Sequence, residues 1–136
     1  MPDKPKVGFY WCGSCGGCEE SIVDLAEDIL SVIENVDIVL WPVAMDFKKE
    51  DIEKMPDKSI VATLINGAIR TSEHEEMVKL LREKSVYIIA HGSCANTGGI
   101  PGLANQFKKE DILKLVYEEL PSNQNNQKTL PTPISQ

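Results

Sequence analysis

Trp11-Cys12-Gly13-Ser14-Cys15-Gly16-Gly17-Cys18-Glu19-Glu20-Ser21 is the stretch that decides how the chain folds. It sets three of the four cysteines at C-x2-C-x2-C spacing, with three glycines between them. The residues before it, Val7-Gly8-Phe9-Tyr10, read as a short buried strand. After it, from Glu20 to Ile33, apolar residues recur at helical spacing: Ile22, Val23, Ala26, Ile29, Leu30 and Ile33. The cysteines therefore stand on the turn from a first strand into a first helix. In an open α/β sheet such a turn lies outside the carboxyl ends of the strands, where ligands bind. Thiolates suit soft metals and iron–sulfur clusters, and this spacing is that of ferredoxin-type cluster loops. Glycines let the backbone fold round an inorganic core without Cβ clashes and leave N–H groups free to point at it.

The fourth cysteine, Cys94, lies far away in His91-Gly92-Ser93-Cys94-Ala95-Asn96-Thr97-Gly98-Gly99-Ile100-Pro101-Gly102. It too follows a strongly apolar run, Val86-Tyr87-Ile88-Ile89-Ala90, and is again embedded in glycines. Two glycine-rich cysteine loops, each leaving a buried strand, are expected to converge on one sheet edge and form a shared site.

The rest of the chain reads as an alternation of strands and helices. Asn35 breaks the first helix, and Val36 to Trp41 is a second strand that Pro42 limits. Asp46 is a candidate cap for a short helix from Lys48 to Met55. Ser59 to Ile65 is apolar almost throughout, as a parallel strand covered on both faces should be. Asn66-Gly67 alone would signal a hairpin, but a helical pattern follows, so Gly67 is read as the flexible exit of a parallel strand. Thr71 or Ser72 caps the next helix, with Glu75 and Glu76 in its first turn and Met77, Leu80 and Leu81 facing inward. Val86 to Ala90 is the fourth strand, and Lys109 to Leu120 a last amphipathic helix. This order implies a flavodoxin-like, three-layer α/β/α domain with a four-stranded parallel sheet in the order 2-1-3-4. The domain is expected over residues 1–120, with 121–136 a polar, flexible tail.

A chain of 136 residues with 26% charged and 42% hydrophobic residues is long enough for one domain with a sizeable core. Its net charge of −7, without a Lys/Arg patch, argues against a nucleic-acid partner. No apolar run approaches the roughly 20 residues that span a bilayer, and Met1 to Pro5 lacks the apolar core of a signal peptide. A cytoplasmic protein is expected, in which clustered thiols stay reduced and bind metal or do redox work. A disulfide is the plain alternative, although cysteines three apart on a tight loop suit its geometry poorly. A structural zinc site is another, since C-x2-C pairs also make zinc sites.

Cys15-Gly16-Gly17-Cys18 after a first strand, with Gly92-Ser93-Cys94-Ala95 and Gly98-Gly99-Ile100-Pro101-Gly102-Leu103-Ala104-Asn105, resembles the small subunit of nickel–iron hydrogenases. The same superfamily includes the 20-kDa subunit of respiratory complex I, and the nearest likeness is to the small subunit of methyl-viologen-reducing, heterodisulfide-reductase-linked hydrogenases. The resemblance spans about residues 6–120 and implies a flavodoxin-like domain holding one 4Fe–4S cluster. It further implies an electron-transfer subunit of an oxidoreductase, partnered by a hydrogenase-like large subunit and other electron-transfer subunits. Carried over, Cys15 and Cys18 match the first two cluster ligands and Cys94 the third. The family's fourth ligand lies further downstream, in a Pro-Gly-Cys-Pro-type segment that this sequence does not contain. Either the sequence is the N-terminal part of a longer protein, or Cys12 closes the site as the fourth thiolate. A non-catalytic assembly or scaffold domain with an incomplete cluster site is the alternative function.

Other candidates have ordinary readings. Glu19 and Glu20 open a helix, where the dipole favours acids, with a supporting role at the site conceivable. His91 is read as a strand-end histidine and His74 as a solvated one. Tyr10 and Trp11 flank the loop and either shield it or pack. The Gly98–Gly102 run lacks the Lys-Ser/Thr of a phosphate loop, so nucleotide binding is not expected. No His, Lys or hydroxyl stands beside a base at catalytic spacing, so no turnover is expected from this chain alone.

Overall fold

The computed structural model describes residues 4–132; the first three residues and the last four of the expected tail, 133–136, lie outside the described residues. Four strands, β1 (Lys6–Trp11), β2 (Asp37–Leu40), β3 (Ile60–Asn66) and β4 (Ser85–His91), form one parallel sheet in the order β2-β1-β3-β4. This is the flavodoxin-like order read from the sequence. Trp11 stands opposite Asn66, and Asn66 opposite His91. The carboxyl ends of β1, β3 and β4 are therefore level, and the loops that leave them start from one edge.

Helices α1 (Gly17–Val23) and α2 (Ile29–Asn35) link β1 to β2, α3 (Lys49–Glu53) links β2 to β3, and α4 (Ser72–Lys84) links β3 to β4. Beyond β4 follow α5 (Ser93–Thr97), α6 (Gly99–Gly102) and α7 (Lys109–Lys114). The step from β1 to β2 crosses the sheet in the opposite direction from the later steps. Right-handed crossovers then put α1 and α2 on one face and α3 and α4 on the other. The main core lies under α3 and α4, where Tyr10, Cys12, Leu40 and Ile65 meet Ile52, Met77 and Leu81. On the other face Phe9 packs on Trp41, with ring centroids 4.8 Å apart.

Three elements differ from the sequence reading. The expected helix from Glu20 to Ile33 is broken: α1 ends at Val23, a single 3-10 turn covers Ala26–Asp28, and α2 begins afresh. Glu20, Asp24 and Asp28 fall four apart, and like charges at that spacing oppose one continuous helix. Asp46 does not cap α3, which starts after Lys48 with no side-chain cap. The last helix keeps α form only to Lys114 and widens into a π turn over Leu115–Glu119. Leu115 and Val116 are exposed, so little packing holds that segment in α form. At α4 one of the two candidate caps is realised: Thr71 Oγ1 accepts from the His74 N–H at 3.2 Å. Among the described residues no helix is long and apolar enough to cross a membrane.

Candidate metal centre

The first cysteine loop is an extension of β1. The Cys12 N–H donates to the Asn66 carbonyl at 2.8 Å, and Gly13 and Ala68 exchange two backbone bonds of 2.9 Å. Side chains alternate across a strand, so Cys12 points to the same face as Tyr10. It is 5% exposed and packs in the core with Tyr10, Leu40 and Met77. Burial pushes the Cys12 thiol up to about 11, so the free thiol stays protonated at neutral pH. Burial, then Cys12 and Glu73, push the Tyr10 phenol up to about 12.

The other three cysteines come to the sheet edge. Cys15 is exposed on the loop, Cys18 is the second residue of α1, and Cys94 the second residue of α5. Burial raises the Cys18 thiol, and the neighbouring Cys15, Cys94 and Glu19 raise it further. The two loops touch at Gly92, whose φ is 84° and where a Cβ would stand 2.2 Å from Cys18 Sγ. Only glycine fits there, on both counts. Gly99 plays the same part for Cys94: its φ is 50° and a Cβ would stand 3.0 Å from Cys94 Sγ. All four cysteines are free. Cys15 and Cys94 thus lie near Cys18 at the sheet edge, while Cys12 is buried in the core.

Among the described residues no three His, Cys, Asp or Glu side chains stand close enough to chelate a single metal ion. Thiolates on separate irons of a cluster stand further apart than thiolates on one ion. Three soft donors on two glycine loops are of the type that holds iron–sulfur groups and zinc alike.

Beneath the loop lies a polar network that the sequence reading does not assemble. Glu19 is 3% exposed, its Oε1 accepts from Asn66 Nδ2 at 2.7 Å, and its Oε2 accepts from the Trp41 indole N–H. Asn66 Oδ1 in turn accepts from Ser14 Oγ at 2.8 Å, and Ser14 Oγ accepts from the Gly16 N–H at 3.3 Å. Read one at a time, Glu19 is a helix-start acid, Asn66 a strand exit and Trp41 a strand end. The signal that joins them is register, since Asn66 pairs with Trp11 and shares its face. His91 sits at the end of β4, half-buried, and His74 Nδ1 accepts from the Arg70 N–H at 3.3 Å. A cleft of about 590 Å³ on the same edge is lined by Tyr10, Trp11, Phe47 and Met77, and by no cysteine.

Three comparisons place the chain among known proteins. The family model of the NADH ubiquinone oxidoreductase 20-kDa subunit matches residues 15–132. The iron-sulfur subunit of the F420-non-reducing hydrogenase of Archaeoglobus profundus is 42% identical over 131 residues, 96% of this chain and 41% of the relative. The corresponding subunit of the F420-non-reducing hydrogenase of Methanothermobacter marburgensis is 37% identical over 132 residues, 97% of this chain and 41% of the relative. The chain thus spans about two-fifths of the length of these relatives. A chain in the crystal structure of an NAD+-reducing NiFe-hydrogenase in the H2-reduced state shares the fold, with a TM-score of 0.77 and 24% identity, over 97% of this chain and 68% of that one. The chain belongs to the family of the NADH ubiquinone oxidoreductase 20-kDa subunit and the nickel–iron hydrogenase small subunits, whose matched members are subunits of oxidoreductases.

Proposed function

We propose that the chain is an electron-transfer iron–sulfur subunit of a nickel–iron-hydrogenase-like oxidoreductase, with residues 1–120 as its cluster domain and 121–136 as a tail. The observation that carries this reading is the convergence of three thiols from two glycine loops, with Cys18 Sγ seated against Gly92. The name of the Archaeoglobus profundus relative, an iron-sulfur subunit, supports it. Cys15, Cys18 and Cys94 are the proposed protein ligands, and Cys12 is a core residue. A 4Fe–4S group, when bound, supplies a one-electron relay between a large subunit, where H2 yields two protons and two electrons, and downstream carriers. The protein's own part is to hold the thiolates at the sheet edge, to give them backbone room at Gly92 and Gly99, and to cover the loop with Trp11. The indole of Trp11 lies against Gly16, where a Cβ would stand 3.0 Å from its ring. No turnover by this chain alone is proposed, and its free cysteines suit the cytoplasm.

One observation favours a second reading. The only other cysteine, Cys12, is in the core, so the described site holds three thiols rather than four. A non-catalytic assembly domain with an incomplete site would look the same. Anaerobic reconstitution with ferrous iron and sulfide, followed by iron and sulfide analysis and electron paramagnetic resonance, separates the two. About four irons per chain and a reduced-cluster signal are expected for the relay; iron and sulfide near zero would contradict a complete cluster site in this chain.

A further inference from the structure

Glu19 is a buried carboxylate next to a candidate ligand, and its place at a helix start does not explain its burial. An acid favoured by the helix dipole gains that benefit at the surface. Taking a carboxylate out of water is costly unless its oxygens are hydrogen-bonded. Here each oxygen meets one N–H donor, and the two donors come from different parts of the sheet. Trp41 follows β2 and Asn66 ends β3, and both are almost fully buried. The carboxylate therefore ties α1 to two strands at once. Its two arms reach the thiols by short routes. Cys18 is its chain neighbour, while Asn66 holds Ser14 at 2.8 Å, the residue before Cys15. The same Asn66 also holds the Cys12 N–H through its carbonyl at 2.8 Å.

We infer that Glu19 is a positioning residue for the cluster ligands, fixing Cys18 through the adjoining peptide and Cys15 through Asn66 and Ser14. This rests on the iron–sulfur reading above. The network sets the loop before iron arrives, so less ordering is left to the binding step. No contact of Glu19 with the cluster is required.

The test uses the 136-residue chain, reconstituted anaerobically with ferrous iron and sulfide. Glu19→Gln keeps the size but offers one acceptor and one donor group, so Trp41 and Asn66 cannot both be satisfied unless Asn66 flips and sets its Oδ1 against the Tyr10 carbonyl. The pair Glu19→Gln with Asn66→Asp restores the contacts among residues 19, 66, 41 and 14 with reversed polarity, giving up the 3.4 Å bond from Asn66 Nδ2 to the Tyr10 carbonyl. The new amide donates to the new carboxylate, its oxygen still accepts from Trp41, and Ser14 keeps an acceptor. Glu19→Gln is expected to lose iron to a chelator about tenfold faster than the parent and to shift the g-values of the dithionite-reduced cluster. The paired variant is expected to recover both. Should Glu19→Gln fail to fold, Trp41→Phe removes one donor while keeping a ring against Phe9, and faster iron loss is again expected. Parental iron retention and g-values in a folded Glu19→Gln or Trp41→Phe variant would overturn the inference, as would a paired variant no better than the single one. A parent that takes up no cluster would instead overturn the iron–sulfur reading itself, and this inference with it.

Discussion

The two cysteine loops leave the same edge of the sheet but are held in different ways. The first is anchored from outside itself: Gly13 is zipped to Ala68, Cys12 to Asn66, and Ser14 and Glu19 meet on the Asn66 side chain. In the second, the described bonds stay inside the loop. Asn96 N–H reaches Gly92 O at 3.1 Å, Thr97 Oγ1 reaches Ser93 O at 3.1 Å, and Gly102 N–H reaches Gly98 O at 2.8 Å. Its neighbour Ile100 is 79% exposed. One loop is braced by side chains and the other shaped by its glycines. Damage to the first should therefore come from side-chain changes, and damage to the second from backbone changes.

The largest effect on iron binding is expected in the second loop. Gly92→Ala puts a methyl on Cys18 Sγ and forces alanine to a φ of 84°. It should abolish iron uptake and cost about 1–3 kcal/mol of stability, read by iron analysis and urea unfolding. In the first loop, Asn66→Ala leaves Glu19 with an unpaired buried oxygen and frees Ser14. A loss of about 2–3 kcal/mol and weakened iron retention are expected from the same two measurements. Hydrogen exchange on the metal-free chain sharpens the contrast. Amides of 93–99 should exchange faster than those of 12–18, because only the first loop is tied to the sheet; equal protection would remove the distinction.

The smallest effect concerns Cys12, which belongs to the core beneath the first loop. Its thiol titrates near 9.0 in the unfolded chain and at about 11 in the fold. Below pH 9 both states hold the proton, and the Cys12 contribution to stability is complete. Between about 9 and 11 the unfolded chain releases its proton first, so stability falls as pH rises. Cys12→Ala should flatten that part of the urea-midpoint profile. A fall at higher pH should persist, because Tyr10 moves from 10.0 to about 12 in the same direction.

The same contrast explains what was legible in the sequence. The apolar runs at β1, β3 and β4 and the glycines behind them marked the strands, the parallel sheet and the two loops. The cysteine spacing alone left Cys12 open as a fourth thiolate; the structure adds that it obeys the alternation of β1, two residues after Tyr10, and is buried with the core. Glu20, Asp24 and Asp28 mark the break between α1 and α2, at a four-residue spacing that apolar periodicity alone ignores. Asn66 and Trp41 stand 47 and 22 residues from Glu19 in sequence, and their meeting depends on strand register. Nothing local to any of the three announces it.

Iron per chain in Cys12→Ala and Cys15→Ser, reconstituted under one protocol beside the parent, tests the division between core cysteine and ligand cysteines most directly. Cys12→Ala is expected to keep the parental iron and electron paramagnetic resonance signal, with some loss of stability, while Cys15→Ser loses most of both. Equal and severe losses in the two variants would contradict it and make Cys12 a ligand.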